Sequence, residues 1–235
     1  MNDVPYGDWA ECIEKIFKKN NLNAKTILEL GCGTGNISTI FARKNYEVIG
    51  IDLSQDMLCV AQEKANKEDL EILYLNQDMT QFELYGTVDA IISVCDSLNY
   101  ILEEDELLAT FKLVKNYLNT GGLFIFDMNT EHKFENILSD NIFAEISENV
   151  AYIWDNYYDE EEKLNIYNTN FFVKQETGEL YERFEETHYQ RAYSANLIKD
   201  LLKNAGLEVL QVFEAFTENE LKESSERIQF VARKE

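Results

Sequence analysis

Residues Thr26 to Asn36 read TILELGCGTGN, and this stretch decides the fold of the whole chain. Its first five residues form a short, mostly apolar run, which is typical of a central strand in a parallel sheet. Three glycines follow, and apolar residues then recur at helical spacing: Gly31, Gly33 and Gly35, then Ile37, Ile40 and Phe41. The stretch predicts a strand that turns through glycines into a helix. Glycine tolerates left-handed backbone and close approach, and the start of a helix offers unpaired N–H groups to a ligand.

A second acidic position completes the pattern. The next apolar run ends in Asp52, which lies 21 positions after Gly31. An acid at that distance, at the end of the second strand, can bind the two hydroxyls of a ribose. A dinucleotide site is disfavoured, because Asn36 stands where G-x-G-x-x-G requires its third glycine. The sequence therefore predicts a nucleoside site and argues against an NAD-dependent reductase.

The segments E-x-G-C-G-x-G and I-D-x-S resemble motif I and the acidic motif of class I S-adenosylmethionine-dependent methyltransferases. The alternative is a chance glycine turn in another α/β protein. The whole chain is similar to a bacterial small-molecule-type branch related to sugar-amine N,N-dimethyltransferases, through V-P-Y-x-x-W, D-L-S-x-x-M-L, C-D-S-L-N-Y-I, G-G-L-F-I-F-D-M-N and H-Y-Q-R-A-Y. That branch usually carries a short Tyr-containing segment that covers the cofactor, and it would be ending at Met1-Asn2-Asp3. We expect weaker cofactor binding without it.

Bulk properties limit the class of partner. The net charge of −23 repels phosphate backbones, so we expect no nucleic-acid substrate. The family's pattern for methylating base amines, D/N-P-P-Y/F, is absent, because the only proline is Pro5. The four cysteines lack a C-x-x-C or a histidine at ligand spacing, which favours reduced thiols in a cytoplasmic protein and no metal site. No apolar stretch is long enough to predict a membrane span. We expect a monomer or a homodimer.

Alternating strands and helices predict an α/β fold with a doubly wound parallel sheet. The resemblance implies a Rossmann-like sheet of seven strands in the order 3-2-1-4-5-7-6, with the last strand inserted between the fifth and sixth. We expect the cofactor-binding domain to span residues 1–129 and 194–235. Residues 130–193, rich in aromatic and β-branched side chains, predict an antiparallel β insert over the substrate site.

Several element boundaries can be predicted from local signals. Asp8, Ser54 and Ser194 each precede a helical pattern and are expected N-caps. The pair Gly121-Gly122 is expected to stop the fourth helix before a strand at 123–127. The insert predicts three strands near 150–157, 164–174 and 180–190, with turns at 159–162 and 176–179.

Ligands of open parallel sheets bind beyond the carboxyl ends of the strands. The resemblance assigns Glu29 and the turn backbone to the methionine part of S-adenosylmethionine, or of its product S-adenosylhomocysteine, and Asp52 to the ribose. Asp78 would take the adenine amine, while Met79 would cover the ring; a plain turn or cap role for Asp78 is the alternative. The predicted cofactor-binding residues are Glu29, Gly31, Cys32, Gly33, Gly35, Asn36, Asp52, Leu53, Met57, Asp78, Met79, Val94 and Asp96. Asp96 is equally open to a capping role.

The acceptor site is less constrained by the sequence. His188 is our first candidate for a catalytic base, and an ion pair with a neighbouring glutamate is the alternative. Arg191 would bind an anionic acceptor or bridge to an acid. The expected substrate contacts are Asn99, Tyr100, Trp154 and Tyr157. The aromatic residues could cage a cationic amine or simply pack a small sheet.

These features predict methyl transfer from S-adenosylmethionine to a small-molecule amine or hydroxyl. Two alternatives stay open. The protein could bind S-adenosylmethionine or S-adenosylhomocysteine with little turnover, or it could methylate a basic protein or peptide, which an acidic surface attracts.

Overall fold

The computed structural model describes residues 4–175, 180–217 and 219–235. Its α-helices are α1 (Tyr6–Lys19), α2 (Asn36–Arg43), α3 (Gln55–Lys67), α4 (Glu104–Tyr117) and α5 (Ala195–Ala205). Its strands are β1 (Thr26–Leu30), β2 (Glu47–Asp52), β3 (Ile72–Asn76), β4 (Val88–Ser93), β5 (Leu118–Asn129), β6 (Ile142–Ile146), β7 (Val150–Asp159), β8 (Leu164–Lys174), β9 (Tyr181–Arg191), β10 (Glu208–Glu214) and β11 (Arg227–Arg233). Short helical turns lie at Ser97–Tyr100 and Lys133–Leu138.

The larger sheet has seven strands in the order β3-β2-β1-β4-β5-β11-β10. The five strands from β3 to β5 are parallel, whereas β11 runs antiparallel to both β5 and β10. This confirms the predicted order, with the last strand inserted beside the fifth. The carboxyl ends of β1, β2 and β4 therefore meet at one edge of the sheet.

Apolar cores cover both faces of this sheet. In β5, Phe124 and Phe126 pack with α4 and α5 on one face, while Leu123 and Ile125 pack with α1 and α2 on the other. Phe126 stacks on Phe230 of β11 with ring centroids 4.9 Å apart. Burial of each ring stabilises the folded state by about 2–3 kcal/mol. The centre of the sheet therefore holds the loops at its edge in fixed positions. No helix in the described ranges is both long and apolar enough to cross a membrane.

The insert forms a separate antiparallel sheet in the order β6-β7-β8-β9. It has four strands: the three predicted strands are confirmed as β7, β8 and β9, and β6 is an additional strand at the edge. We missed β6 because four of its five residues are exposed, and such a strand lacks the alternation that marks a half-buried one. The turn predicted at 176–179 lies outside the described residues.

Two helix ends also differ from prediction. Pro5 occupies the N-cap of α1, and Asp8 lies within the first turn, where an acid still complements the helix dipole. Helix α4 ends at Tyr117, before the glycine pair, because β5 already begins to pair at Leu118. The caps at Ser54 and Ser194 are confirmed, since each hydroxyl accepts a bond from a backbone N–H three residues on.

Candidate active site

The turn after β1 is open to a ligand because its glycines adopt left-handed backbone. Gly31, Gly33 and Gly35 have φ of +69°, +53° and +72°. A Cβ added to Gly31 would lie 2.7 Å from the Ser97 side chain and 3.3 Å from Met79 Cε. The loops after β3 and β4 thus close on this turn, and only glycine fits between them.

Asp52 lies beside the turn at the end of β2. Its Oδ2 accepts a hydrogen bond from Gly33 N at 2.7 Å, and its Oδ1 accepts one from Ser54 N at 2.8 Å. A carboxylate oxygen can accept more than one hydrogen bond, so both oxygens retain capacity for ligand hydroxyls. Leu53 and Met57 flank Asp52 and are 73% and 47% exposed, which leaves an apolar shelf that a flat ring could cover.

Glu29 lies beneath the turn and is almost fully buried. The Ser38 hydroxyl donates to its carboxyl group. Burial raises the pKa of Glu29 to about 8, with the nearby Asp52 charge acting in the same direction. Glu29 can therefore carry a proton near neutral pH and lose it when a cation is bound nearby. Cys32 is buried in the turn itself, and burial raises the pKa of its thiol.

At the start of α2, Asn36 Oδ1 accepts a hydrogen bond from Lys64 Nζ at 2.5 Å. Lys64 also donates to Thr34 O at 2.8 Å. The two bonds tie α3 to the end of the glycine turn. Asn36 thus fixes the turn with its side chain and lies at the helix start where a ligand would meet the backbone.

The loop after β3 holds the next predicted pair. Asp78 Oδ1 accepts hydrogen bonds from both the N–H and the hydroxyl of Thr80 at 2.8 Å, as the turn interpretation expects. Its second oxygen has no hydrogen bond to any described residue, so an adenine contact stays open to it. Met79 packs against the main core and reaches toward Gly31.

A network of charges fixes the loop after β4. Its first residue, Val94, is buried, and Cys95 and Asp96 both have positive φ, an uncommon backbone for these residues. The Asp96 carboxylate bonds Arg227 Nη2 at 2.6 Å and Gln190 Nε2 at 2.6 Å, and Arg227 also pairs with the buried Asp127. Asp96 stands at the N-cap position of the turn Ser97–Tyr100, but its side chain makes no cap bond there, so the capping alternative holds for its position and not for its carboxylate.

Contacts within this network shift the pKa values of Arg227 and Asp127. Burial opposes the charge on Arg227, but the two carboxylates prevail and raise its pKa. Burial raises the pKa of Asp127, and Arg227 opposes that rise. We conclude that Arg227 stays protonated and holds three elements together: the β4 loop, the end of β5 and the start of β11.

Three of the predicted acceptor residues lie elsewhere. Asn99 is fully buried, and its amide group bonds the backbone of Asn129 and Arg191, so it braces the loop from within the core. The Arg191 guanidinium donates a hydrogen bond to the backbone oxygen of Glu162 at 2.9 Å instead of facing the predicted acceptor site. Tyr157 is 54% exposed on the face of the insert opposite to Trp154, because residues three apart in a strand point to opposite sides.

The remaining candidates come together in one cluster of aromatic rings. Tyr167 stacks on His188 with centroids 5.0 Å apart, and Trp154 packs 5.3 Å from Tyr167. The Tyr100 hydroxyl bonds that of Tyr167 and lies 3.5 Å from His188 Nδ1. His188 Nε2 lies 3.3 Å from the Glu186 carboxylate, so the expected pairing with a neighbouring glutamate is also present. Burial raises the pKa of both tyrosines, which keeps their hydroxyls protonated.

Two residues near the turn were missed by the sequence reasoning. The Tyr6 hydroxyl of α1 is partly buried near Asn36 and Cys95, and burial raises its pKa. Trp9, one turn later, stacks on Phe216 at 4.1 Å and lies under the Arg227 guanidinium, which is 5.7 Å from the ring centroid. Tyr6 and Trp9 share one face of α1 because they are three residues apart, but the prediction of Asp8 as the N-cap left Tyr6 outside the helix. Nothing local to Arg227 could have predicted its role.

Within the described residues, no group of three or more His, Cys, Asp and Glu side chains is arranged to hold a metal ion.

Comparisons with known proteins agree with this geometry. A family model described as a methyltransferase domain matches residues 27–122. Over all 235 residues the chain is 38% identical to the "Putative methyltransferase YqeM" of Bacillus subtilis and covers 92% of it. It also resembles the crystal structure of an S-adenosylmethionine-dependent methyltransferase from Clostridium acetobutylicum, with a TM-score of 0.92 and 33% identity, over 99% of this chain and 93% of that one. Over 120 residues, 51% of this chain and 49% of the relative, it is 27% identical to a dTDP-3-amino-3,4,6-trideoxy-glucopyranose N,N-dimethyltransferase of Streptomyces venezuelae.

Proposed function

Because this chain belongs to the class I S-adenosylmethionine-dependent methyltransferases, we propose that it transfers a methyl group to a small-molecule amine or hydroxyl acceptor. One observation carries the acceptor part of this proposal. Ser97 abuts Gly31, and Tyr100, at the far end of the same helical turn, bonds the Tyr167 hydroxyl and reaches His188. A 3-10 turn rises about 2 Å per residue, so the aromatic cluster lies roughly 6 Å further along from the glycine turn. A small acceptor held by the cluster would be next to the cofactor site.

The residues around the glycine turn fit the cofactor. Asp52 would accept hydrogen bonds from the ribose hydroxyls, each assisted by its charge. Leu53 and Met57 supply the apolar shelf for the adenine ring, and Asp78 has a carboxylate oxygen for its amine. The turn from Gly31 to Gly35, with Glu29 beneath it, would hold the methionine part. When bound, S-adenosylmethionine supplies a methyl group on a positively charged sulfur.

The chain's own groups would align and deprotonate the acceptor. Methyl transfer is an in-line displacement, so positioning and exclusion of water supply much of the rate enhancement. Glu186 would attract an ammonium group and orient His188, whose ring nitrogen would accept the proton that the acceptor loses. The Tyr100 hydroxyl, 3.5 Å from the same ring, would hold the acceptor nitrogen or oxygen in place.

Charge and relatives favour an amine over other acceptors. A net charge of −23 disfavours nucleic acid and attracts cations. The Streptomyces relative is named for N,N-dimethylation of an amino sugar. The same charge supports a basic peptide as the second candidate acceptor.

The proposal is tested by measuring S-adenosylhomocysteine formation against a panel of primary amines, secondary amines, alcohols and a lysine-rich peptide. We expect turnover with at least one small amine, and a loss of about a hundredfold in His188→Asn, the usual contribution of a positioned base. His132→Asn is the matched control, because His132 is the chain's other histidine and, among the described residues, is hydrogen-bonded only to Asn136. Tight cofactor binding with no turnover on any acceptor would favour a binding protein, and turnover on the peptide alone would favour the second candidate.

A further inference from the structure

The insert has two faces of different chemistry, and one of them continues outward from the aromatic cluster. Strand register places the side chains of this face in parallel rows. We call it the acceptor face. Its inner row is Asn156, Tyr167 and His188; its middle row is Phe143, Trp154, Thr169 and Glu186; its outer row is Glu145, Tyr152, Phe171 and Phe184; its end row is Val150, Val173 and Glu182.

The inner row is in contact with the β4 loop, whereas the outer row is not. Tyr167 and His188 contact Tyr100, and Gln190, two residues after His188 on β9, donates a hydrogen bond to Asp96. In the outer row Tyr152 and Phe171 are 6.2 Å apart and partly exposed, and Phe184 is 47% exposed. Rows of side chains on one face are about 6.8 Å apart. The apolar outer row therefore lies roughly 14 Å from His188, well beyond the reach of a single sugar-sized acceptor.

The charge of this face has one sign. Its strand residues include the acids Glu145, Glu182 and Glu186 but no lysine or arginine. Arg183 lies on the opposite face, where it bonds Asn170 and Glu185. His188 is the one residue of the four rows that could become positive, and it faces Glu186. A ligand lying along these rows meets aromatic rings between carboxylates.

We propose that the acceptor is an elongated organic cation, with the amine to be methylated at the inner row and an apolar body that extends to the outer row. This inference rests on the proposed function and names its substrate class. A phosphate-linked acceptor, such as a dTDP-sugar, would place its anionic group beside the carboxylates of these four described rows, which contain no lysine or arginine to pair with it. Charge complementarity therefore separates this chain from its dTDP-amino-sugar relative.

Three matched probes test the length and charge of the acceptor: 6-phenylhexylamine, hexylamine and 6-aminohexyl phosphate. Turnover is measured as S-adenosylhomocysteine formation, and binding is measured by titration into protein saturated with S-adenosylhomocysteine. We expect kcat/KM for 6-phenylhexylamine to exceed that for hexylamine by about tenfold, from contact between the rings. We expect 6-aminohexyl phosphate to be at least tenfold worse than hexylamine.

Two variants on β9 locate the contact. Phe184→Ala should abolish the advantage of 6-phenylhexylamine over hexylamine. Tyr189→Ala is the matched control, because Tyr189 is similarly exposed, at 44%, but lies on the opposite face. Circular dichroism and melting curves show whether each variant is folded.

The outcomes separate the two proposals. Equal kcat/KM for the two amines, or equal losses in the two variants, would overturn the elongated acceptor while leaving amine methylation in place. Preferred use of 6-aminohexyl phosphate, or methylation of a lysine-rich peptide alone, would also overturn it. Binding of 6-phenylhexylamine that depends on Phe184, without turnover, would support the acceptor face and contradict the proposed function. Neither binding nor turnover with any amine would overturn both.

Discussion

Replacing Gly31 with alanine should damage both stability and cofactor binding, because two separate costs meet at this residue. Its φ of +69° is left-handed, and an alanine there costs roughly 1–2 kcal/mol. The new Cβ would also lie 2.7 Å from both Cβ and Oγ of Ser97. Ser97 cannot rotate away freely, since its hydroxyl donates to Val94 O at 2.9 Å and its Cβ is fixed to the backbone. Forced repacking of this kind costs about 1–3 kcal/mol.

The two costs together predict a loss of about 3 kcal/mol in the free energy of unfolding. In a protein of this size that loss lowers Tm by roughly 6–12 °C. Displacement of the loop that carries Ser97 should also weaken S-adenosylmethionine binding by tenfold or more. Thermal melting and isothermal titration measure the two effects on the same samples.

Gly121→Ala is the matched control for the backbone term. Gly121 has φ of +79°, but no heavy atom lies within 4 Å of its added Cβ. We expect a loss of roughly 1–2 kcal/mol from the backbone alone and unchanged cofactor affinity. If both alanine variants lose the same stability and both bind S-adenosylmethionine normally, the close approach of Ser97 to the turn affects neither stability nor cofactor binding, and the reasoning is refuted.

Two further predictions concern buried charges. Arg227→Gln should lower the free energy of unfolding by about 3–5 kcal/mol, because it leaves the Asp127 carboxyl buried without its partner. In urea unfolding, the double variant with Asp127→Asn should lose less stability than Arg227→Gln alone. A larger loss in the double variant would contradict the network. Burial raises the pKa of Glu29 from an ordinary 4.5 to about 8, so the folded state holds a proton that the unfolded chain releases, and stability should fall as the pH rises between these values. Glu29→Gln should remove that slope in urea unfolding at pH 5, 6.5 and 8, whereas an unchanged slope would assign it to other groups.

The sheet was predictable because its signals are local. Strand, glycine turn and second acid lie within 27 residues, and each serine cap acts three residues away. These signals determine the order of elements and the place where β1 and β2 end. They also place Asp52 beside the glycine turn, because a parallel sheet brings the carboxyl ends of its strands to one edge.

The parts that sequence reasoning missed depend on distant partners. For Asp96 the sequence left a cofactor contact and a capping role equally open, and neither indicates the bond of its carboxylate to Arg227, 131 residues later. Asn99 was expected at the acceptor site, but its amide donates to the backbone oxygen of Arg191 at the end of β9. The separation of Tyr157 from Trp154 was predictable, since residues three apart along β7 point to opposite faces. Strand β6 gave no signal, because an exposed strand has no buried face to mark it.

The central claim is that S-adenosylmethionine binds at the turn beside Asp52, and titration of Asp52→Ala tests it most directly. Asp89→Ala is the control, because Asp89 also accepts two backbone N–H groups, from Lys25 at 2.8 Å and Thr26 at 3.1 Å, but lies at the amino end of β4, the opposite edge of the sheet. We predict micromolar binding of S-adenosylmethionine and S-adenosylhomocysteine to the wild-type protein and to Asp89→Ala, and loss of binding in folded Asp52→Ala. Full affinity in Asp52→Ala, or no binding to the wild-type protein, would contradict the account.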